Sequence, residues 1–203
     1  MFSPSQTLDF SRADIDNAVS LAASTIAQRP TIAQLTAAQA ILSDSLVFLR
    51  GDLGSGVRLI LQLAFGAWKI LTASIEDPRA DVLVLGPTGK AARRLSEVFE
   101  TEAKTVHAAL EYDARTRAWG RLRSNPLHHG LVIIDTLHML PDDALYALIK
   151  ACPAAHKAIG HDPTCLAAPA GLPNLGTTIH LDERIRIPAN CLPPVAAEIG
   201  LPF

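Results

Sequence analysis

Three short apolar runs, each closed by a turn-forming or charged residue, constrain this chain more than any other feature. They are SLVFLR at 45–50, ADVLVLG at 80–86 and GLVIID at 130–135. Each is too short for an ordinary helix, rich in Val, Ile and Leu, and bounded by Gly or Asp, so each reads as a buried strand. Between and after them lie stretches with helical character: VRLILQLAFGAWKILTASI (57–75), KAARRLSEVFE (90–100) and PDDALYALIKAC (141–152). The last carries its acidic residues in the first turn, where the helix dipole favours them. HKAIGHD (156–162) and TTIHLD (177–182) offer two further short strands. Strands that alternate with helices predict an α/β fold, a mostly parallel sheet with helices on both faces.

The N-terminal part is expected to be helical. In SRADIDNAVSLAASTIAQRP, Ser11 is placed to cap a helix whose Ile15, Val19, Ala22 and Ile26 recur at helical spacing, and Pro30 follows its end. TIAQLTAAQAILSD (31–44) predicts a second helix. At 203 residues the chain is long enough to bury a core of its own. No apolar run reaches the roughly 18 residues that a membrane span needs. The first residues lack the basic-then-apolar order of a signal peptide, so a cytoplasmic protein without a membrane partner is expected. Cys152, Cys165 and Cys191 are odd in number and show no C-x-x-C spacing, which favours reduced thiols. A net charge of −2 argues against coating nucleic acid by bulk charge but leaves room for a local basic face.

Two segments compete for the role of phosphate loop. GPTGKA follows a strand and delivers a lysine. Yet the G-x-x-x-x-G-K-[ST] spacing would require a glycine at Val84 and a hydroxyl at Ala91. The earlier GDLGSGVR has the spacing, with Gly51, Gly54 and Gly56 between a strand and a helix. It lacks the chemistry: Val57 stands where the lysine belongs, and Arg58 where the magnesium-binding hydroxyl belongs. Asp52 also adds a carboxylate to a loop built for anions. A plain tight turn is the other reading of the same three glycines.

The order of motifs resembles the first motor domain of RecD-type superfamily 1 DNA helicases. LTAAQ is similar to the adenine-reading glutamine motif, which would give Gln39 that role. GDLGSGVR sits where the Walker A loop belongs. GPTGKAARRL resembles the segment that lines the single-strand path, and KTVHAAL resembles the Thr-x-His segment beyond it. NPLHHGLVIIDTLHML is similar to the Walker B strand, HDPTCLAAP to the following Gly-Asp-x-x-Gln segment, and LDERIR to the one ending in a phosphate-sensing arginine, Arg186. The resemblance implies a P-loop NTPase-like, RecA-like fold. It divides the chain into an N-terminal helical extension (1–34), a motor-like domain (35–187) and a C-terminal tail (188–203) with Pro193, Pro194 and Pro202.

The departures from that family bear on chemistry. Asp135, the magnesium carboxylate, is present, but the catalytic glutamate beside it is Thr136. The sensor glutamine is Cys165, and His161 replaces the glycine before Asp162. Gln39, Gly51, Gly54, Gly56, Asp135 and Arg186 are therefore a vestigial nucleotide set with no catalytic residue among them. Phosphoryl transfer depends on positioning and charge, so the expectation is a pseudo-ATPase with no cofactor. Two alternatives stand beside it. One is an ATP- and Mg-dependent helicase or nuclease subunit whose nucleotide site another chain completes, with Arg58 standing in for the lysine. The other is an interaction module that engages a helicase, nuclease or other protein without touching DNA.

The DNA-facing motif is better kept, which implies Thr88, Lys90, Arg93, Thr105 and His107 as contacts for single-stranded DNA. Residues 90–123 hold eight basic against five acidic residues, with Trp119 among the arginines. Either Trp119 stacks on a base, or it lies on the core beneath a solvated loop. His156, His161 and Cys165 have a loose ligand spacing without a second pair, so no metal site is expected.

Overall fold

The computed structural model describes residues 7–51, 54–135, 140–153, 155–161 and 176–181. The elements run in the order α1 (Arg12–Thr25), α2 (Ile32–Ser43), β1 (Leu46–Gly51), α3 (Val57–Leu71), a short 3-10 turn (Pro78–Ala80) and β2 (Val82–Gly86). Then follow α4 (Gly89–Phe99), β3 (Ala103–Thr105), α5 (Val106–Ala109), β4 (Tyr112–Asp113), β5 (Ala118–Trp119), β6 (Leu131–Ile134), α6 (Asp142–Ala151), β7 (His156–His161) and β8 (Thr177–Leu181). The strands expected from the apolar runs are β1, β2 and β6, and the two shorter candidates are β7 and β8. Residues 188–203, Arg186 and Cys165 lie outside the described residues.

Six strands form one sheet in the order β3-β2-β6-β7-β1-β8, with every adjacent pair parallel. Alternate residues of each strand feed two separate cores, as the period-2 pleat dictates. Val47, Leu49, Val84, Leu131, Ile133 and Ala158 face α1–α4. Leu46, Phe48, Leu83, Leu85, Val132 and Ile134 face α5 and α6. The continuous apolar runs of the sequence are thus strands buried on both sides.

α1 is not a separate extension. Its Ile15, Ala18, Val19 and Ala22 lie in the same core as α3 and the sheet, and the boundary expected at residue 34 falls inside α2. Ser11 caps α1 as expected, accepting from the Asp14 amide at 3.2 Å. His156 on β7 then ties the preceding segment to the sheet. Its ring nitrogens lie 2.9 Å from the Asp44 carbonyl oxygen and 3.2 Å from that of Leu8. With both nitrogens so engaged, this histidine is not free to serve in the loose ligand set suggested by spacing. α3 is apolar on more than one side because it is covered on more than one side, by the sheet below and by α1 and α2 above. Its Trp68 is fully buried and donates its indole N–H to the Ala80 carbonyl at 2.8 Å. Among the described residues, no helix is long and apolar enough to cross a membrane.

The seam between β6 and the turn before β2 is so tight that a Cβ at Gly130 would fall on the Arg79 carbonyl and the Trp68 ring. Gly130→Ala should therefore destabilise the fold by about 1–3 kcal/mol in urea denaturation, the range for overpacking. Gly89→Ala, in the first turn of α4 with nothing within 4 Å of the added methyl, should be neutral or slightly stabilising. Equal midpoints for the two variants would contradict this packing.

Candidate functional site

All six parallel strands point their C-terminal ends to one edge, and the loops there carry the motifs singled out above. β7 lies between β1 and β6, so the glycine loop after β1 and Asp135 after β6 flank the end of the same strand. Crevices at the carboxyl ends of parallel strands are where open α/β sheets place their ligands.

Two glycines of the loop have left-handed backbone. Gly54 has φ +91° and Gly56, the N-cap of α3, has φ +82° and ψ +22°. Gly51 approaches the loop closely, since a Cβ there would land on the Ser55 hydroxyl and 3.1 Å from the Leu181 side chain. Ser55 is 2% exposed, and its hydroxyl has no hydrogen-bond partner among the described residues.

The side chains that follow do not have the chemistry of such a loop. Val57, in the lysine position, is the first residue of α3 and packs towards β7: a Cβ on Gly160 would lie 3.0 Å from its Cγ1 and 3.6 Å from Asp135 Oδ1. Arg58, in the hydroxyl position, turns to the Walker B-like carboxylate. Its Nη2 lies 2.8 Å from Asp135 Oδ2, with side-chain exposures of 41% for Arg58 and 13% for Asp135. This ion pair spans 77 positions of sequence, and nothing local in the sequence announces it.

The two glutamines of α2 part company. Gln39 donates to Asp16 of α1 at 2.9 Å and so faces away from the loop. Gln34, which the sequence reading passed over, is 2% exposed and donates to the Ser55 carbonyl at 3.3 Å. Its side-chain oxygen also accepts from the Thr31 amide at 3.0 Å, in a reciprocal capping box with the Thr31 hydroxyl. The Thr-x-x-Gln spacing was the available signal. It fixes the start of α2, and the freed amide reaches the loop.

Across β7 and β6 from β1, the far edge of the sheet, formed by β2 and β3, carries the residues implied for DNA. Gly86 and Thr105 are register partners, so the helices after these strands begin side by side. Thr88 caps α4, its hydroxyl accepting from the Ala91 amide at 3.2 Å, and Thr105 caps α5 in the same way at 3.1 Å. Both hydroxyls thus have structural work. Lys90 and Arg93 are exposed on the first turns of α4. His107 is part-buried with its ring centroid 5.3 Å from that of Tyr112 and 5.5 Å from that of Trp119.

The loop-like stretch after residue 112 begins as a hairpin, β4–β5. Tyr112 and Trp119 pair across it with ring centroids 4.5 Å apart. Trp119 is half-buried against the core under α5 and α6, so it follows the second of the two expectations. The Asp113 carboxylate accepts the Arg115 amide at 2.8 Å, and this hydrogen bond above all holds the carboxyl below its ordinary range. The turn leaves Arg115 and Arg117 exposed. Two basic side chains nearby are already paired: Arg121 with Glu111 at 2.7 Å and Lys104 with Glu102 at 3.7 Å. Lys90, Arg93, Arg94, Arg115, Arg117 and Arg123 have no ion pair among the described residues. Burial above all pushes His129 below its ordinary range, against an opposing pull from Asp81.

The family model described as AAA domain (AAA_19) matches residues 34–168. The ATP-dependent RecD2 DNA helicase of Deinococcus radiodurans is 35% identical over 97 residues, which are 47% of this chain and 13% of that protein. The chain thus spans a small fraction of that relative's length. Among solved structures, the UvsW helicase from bacteriophage T4 superposes with a TM-score of 0.53 at 13% identity, over 78% of this chain and 62% of that one. At that identity the likeness is one of fold.

Gln34 is expected to matter more to stability than Gln39. Gln34→Ala removes two hydrogen bonds at a buried position and should cost about 1–3 kcal/mol in urea denaturation. Gln39→Ala removes one part-buried contact and should cost about 0.5–1 kcal/mol. The reverse order would displace Gln34 from its role as anchor of the loop.

Proposed function

The chain belongs to the AAA domain family, and from that premise we propose that it is a catalytically degenerate, RecD-like helicase domain. In this reading it is a pseudo-ATPase that serves as a DNA-binding or assembly module in recombination, repair or conjugative DNA transfer. The observation that carries it is a contrast along one sheet edge. At the start of α3 an apolar Val57 stands against Gly160 where a lysine would neutralise phosphate, whereas Lys90 and Arg93 at the start of α4 remain exposed and unpaired among the described residues. Phosphoryl transfer is almost wholly positioning and charge stabilisation, so the loss of loop lysine and hydroxyl removes the reaction, and no cofactor is required. A nucleic-acid backbone needs only accessible cations, which the second face retains.

The helicase likeness of the fold and the name of the RecD2 relative support single-stranded DNA as the partner. A cytoplasmic setting follows from such a partner. A helicase, nuclease or other protein held by the same face is the competing outcome.

Labelled single-stranded DNA titrated by fluorescence anisotropy separates these. Binding should weaken with salt, and Lys90→Ala with Arg93→Ala should weaken it about tenfold at low salt and flatten the salt slope by about 1.4, the value for two lost phosphate contacts on a single strand. The wild-type chain should release no phosphate from ATP above background. Absence of binding at low salt, or a double variant that binds like wild type, would sink the DNA reading.

A further inference from the structure

We infer that Arg58 is a built-in cation that takes the place of a divalent metal ion, so that the chain refuses magnesium although its Asp135 carboxylate survives. This deepens the reading of the loop as a nucleotide site without its chemistry, and rests on it for the identification of Asp135 as the metal-facing carboxylate.

P-loop folds imply Mg²⁺ held by the loop hydroxyl and, on the far side, by the Walker B carboxylate. The residues here do not fit that ion. No hydroxyl follows Val57, and the guanidinium that does follow approaches Asp135 at 2.8 Å, the length of a direct charge-assisted hydrogen bond. The exposures set the roles within the pair. Asp135 is the enclosed partner at 13%, whose charge cannot stand alone without cost, and Arg58 at 41% reaches it from the solvent side. Magnesium demands a near-octahedral shell of oxygens at about 2.1 Å. Near Asp135 Oδ1, the Cβ position of Gly160 lies 3.6 Å away and 3.0 Å from the Val57 Cγ1 methyl, and the Arg58 guanidinium holds Oδ2.

The cation is also tethered. Arg58 is the second residue of α3, after the left-handed Gly56 cap and Val57, so its effective concentration at Asp135 does not fall with dilution as that of a free ion does. Its Nε is buried without an acceptor, and Asp135 is the one carboxylate that holds the guanidinium, among the described residues. The substitution therefore removes both metal ligand and metal need in a single residue.

Mn²⁺ alone, without nucleotide or DNA, is the probe. In an electron paramagnetic resonance titration the wild-type chain should leave the free-ion signal as the Asp135→Asn variant does. Arg58→Ser removes the cation and restores a hydroxyl. It should bind Mn²⁺ and gain about 3–5 °C in thermal midpoint at a tenfold excess over Kd, at matched ionic strength. Arg58→Ser with Asp135→Asn should lose that gain, and Arg58→Lys should stay refractory. Wild-type binding that Asp135→Asn abolishes would overturn the inference, as would a folded Arg58→Ser that ignores the ion. Should Arg58→Ser not fold, the wild-type titration against Asp135→Asn decides alone. Because these assays contain neither DNA nor ATP, they can fail while the proposed function stands, and the reverse.

Discussion

An all-parallel sheet leaves no face for water and no hairpin to join its strands, and that constraint organises the rest of this molecule. Each strand must return by a crossover, each crossover helix must cover a face, and every strand then ends at the same edge. The order β3-β2-β6-β7-β1-β8 follows these rules with α1–α4 on one face and α5 and α6 on the other. The loops with chemical character are neighbours at the carboxyl edge because topology leaves them nowhere else to gather. Two sites so placed share a scaffold without sharing a chemistry. One can lose its charges while the other keeps them, provided the strands and helices between them still pack.

Much of this was legible from the residues. Strands buried on both faces write themselves as short continuous apolar runs, and β1, β2 and β6 lie where those runs lie. The first helix was legible from Ser11 and the spacing of Ile15, Val19 and Ala22. Its place in the common core was not, because an amphipathic stripe says that a face is buried and not against what. Gln34 and Gln39 show the limit more sharply. Both lie on α2, five residues apart, and only the packing of α2 on the loop makes one a loop anchor and the other a partner of Asp16. The pair of Arg58 with Asp135 is invisible in the same sense, since charge complementarity across 77 residues needs the sheet order to bring β1 and β6 to either side of β7.

The arginine-rich segment illustrates how composition overstates a charged face. Arg121 closes onto Glu111 through two hydrogen bonds, and Lys104 leans on Glu102, so part of the basic excess is neutralised internally. Trp119, for all its setting among arginines, joins Tyr112 and His107 in a ring cluster that fixes the hairpin to α5. What the cluster does for function is indirect. It holds the turn bearing Arg115 and Arg117 away from the core, where long cationic side chains remain solvated and available to a phosphate backbone.

The glycines of the degenerate loop serve the backbone. Glycine spacing is the part of the phosphate-loop pattern this chain retains, and it is tempting to take it as evidence that phosphate still binds. The backbone accounts for these residues without a ligand. Gly54 and Gly56 occupy left-handed conformations that side chains disfavour, and Gly51 lies under Ser55 and Leu181 with no room for a Cβ. Replacing any of them would disturb the entry into α3, whose Leu59, Ile60, Leu61, Leu63 and Trp68 fill the larger core. The lysine and hydroxyl positions need no special backbone, so a valine that packs towards β7 and an arginine that pairs with Asp135 are accommodated there. Backbone pattern and ligand chemistry are therefore separable in this loop, and only the second reports on nucleotide.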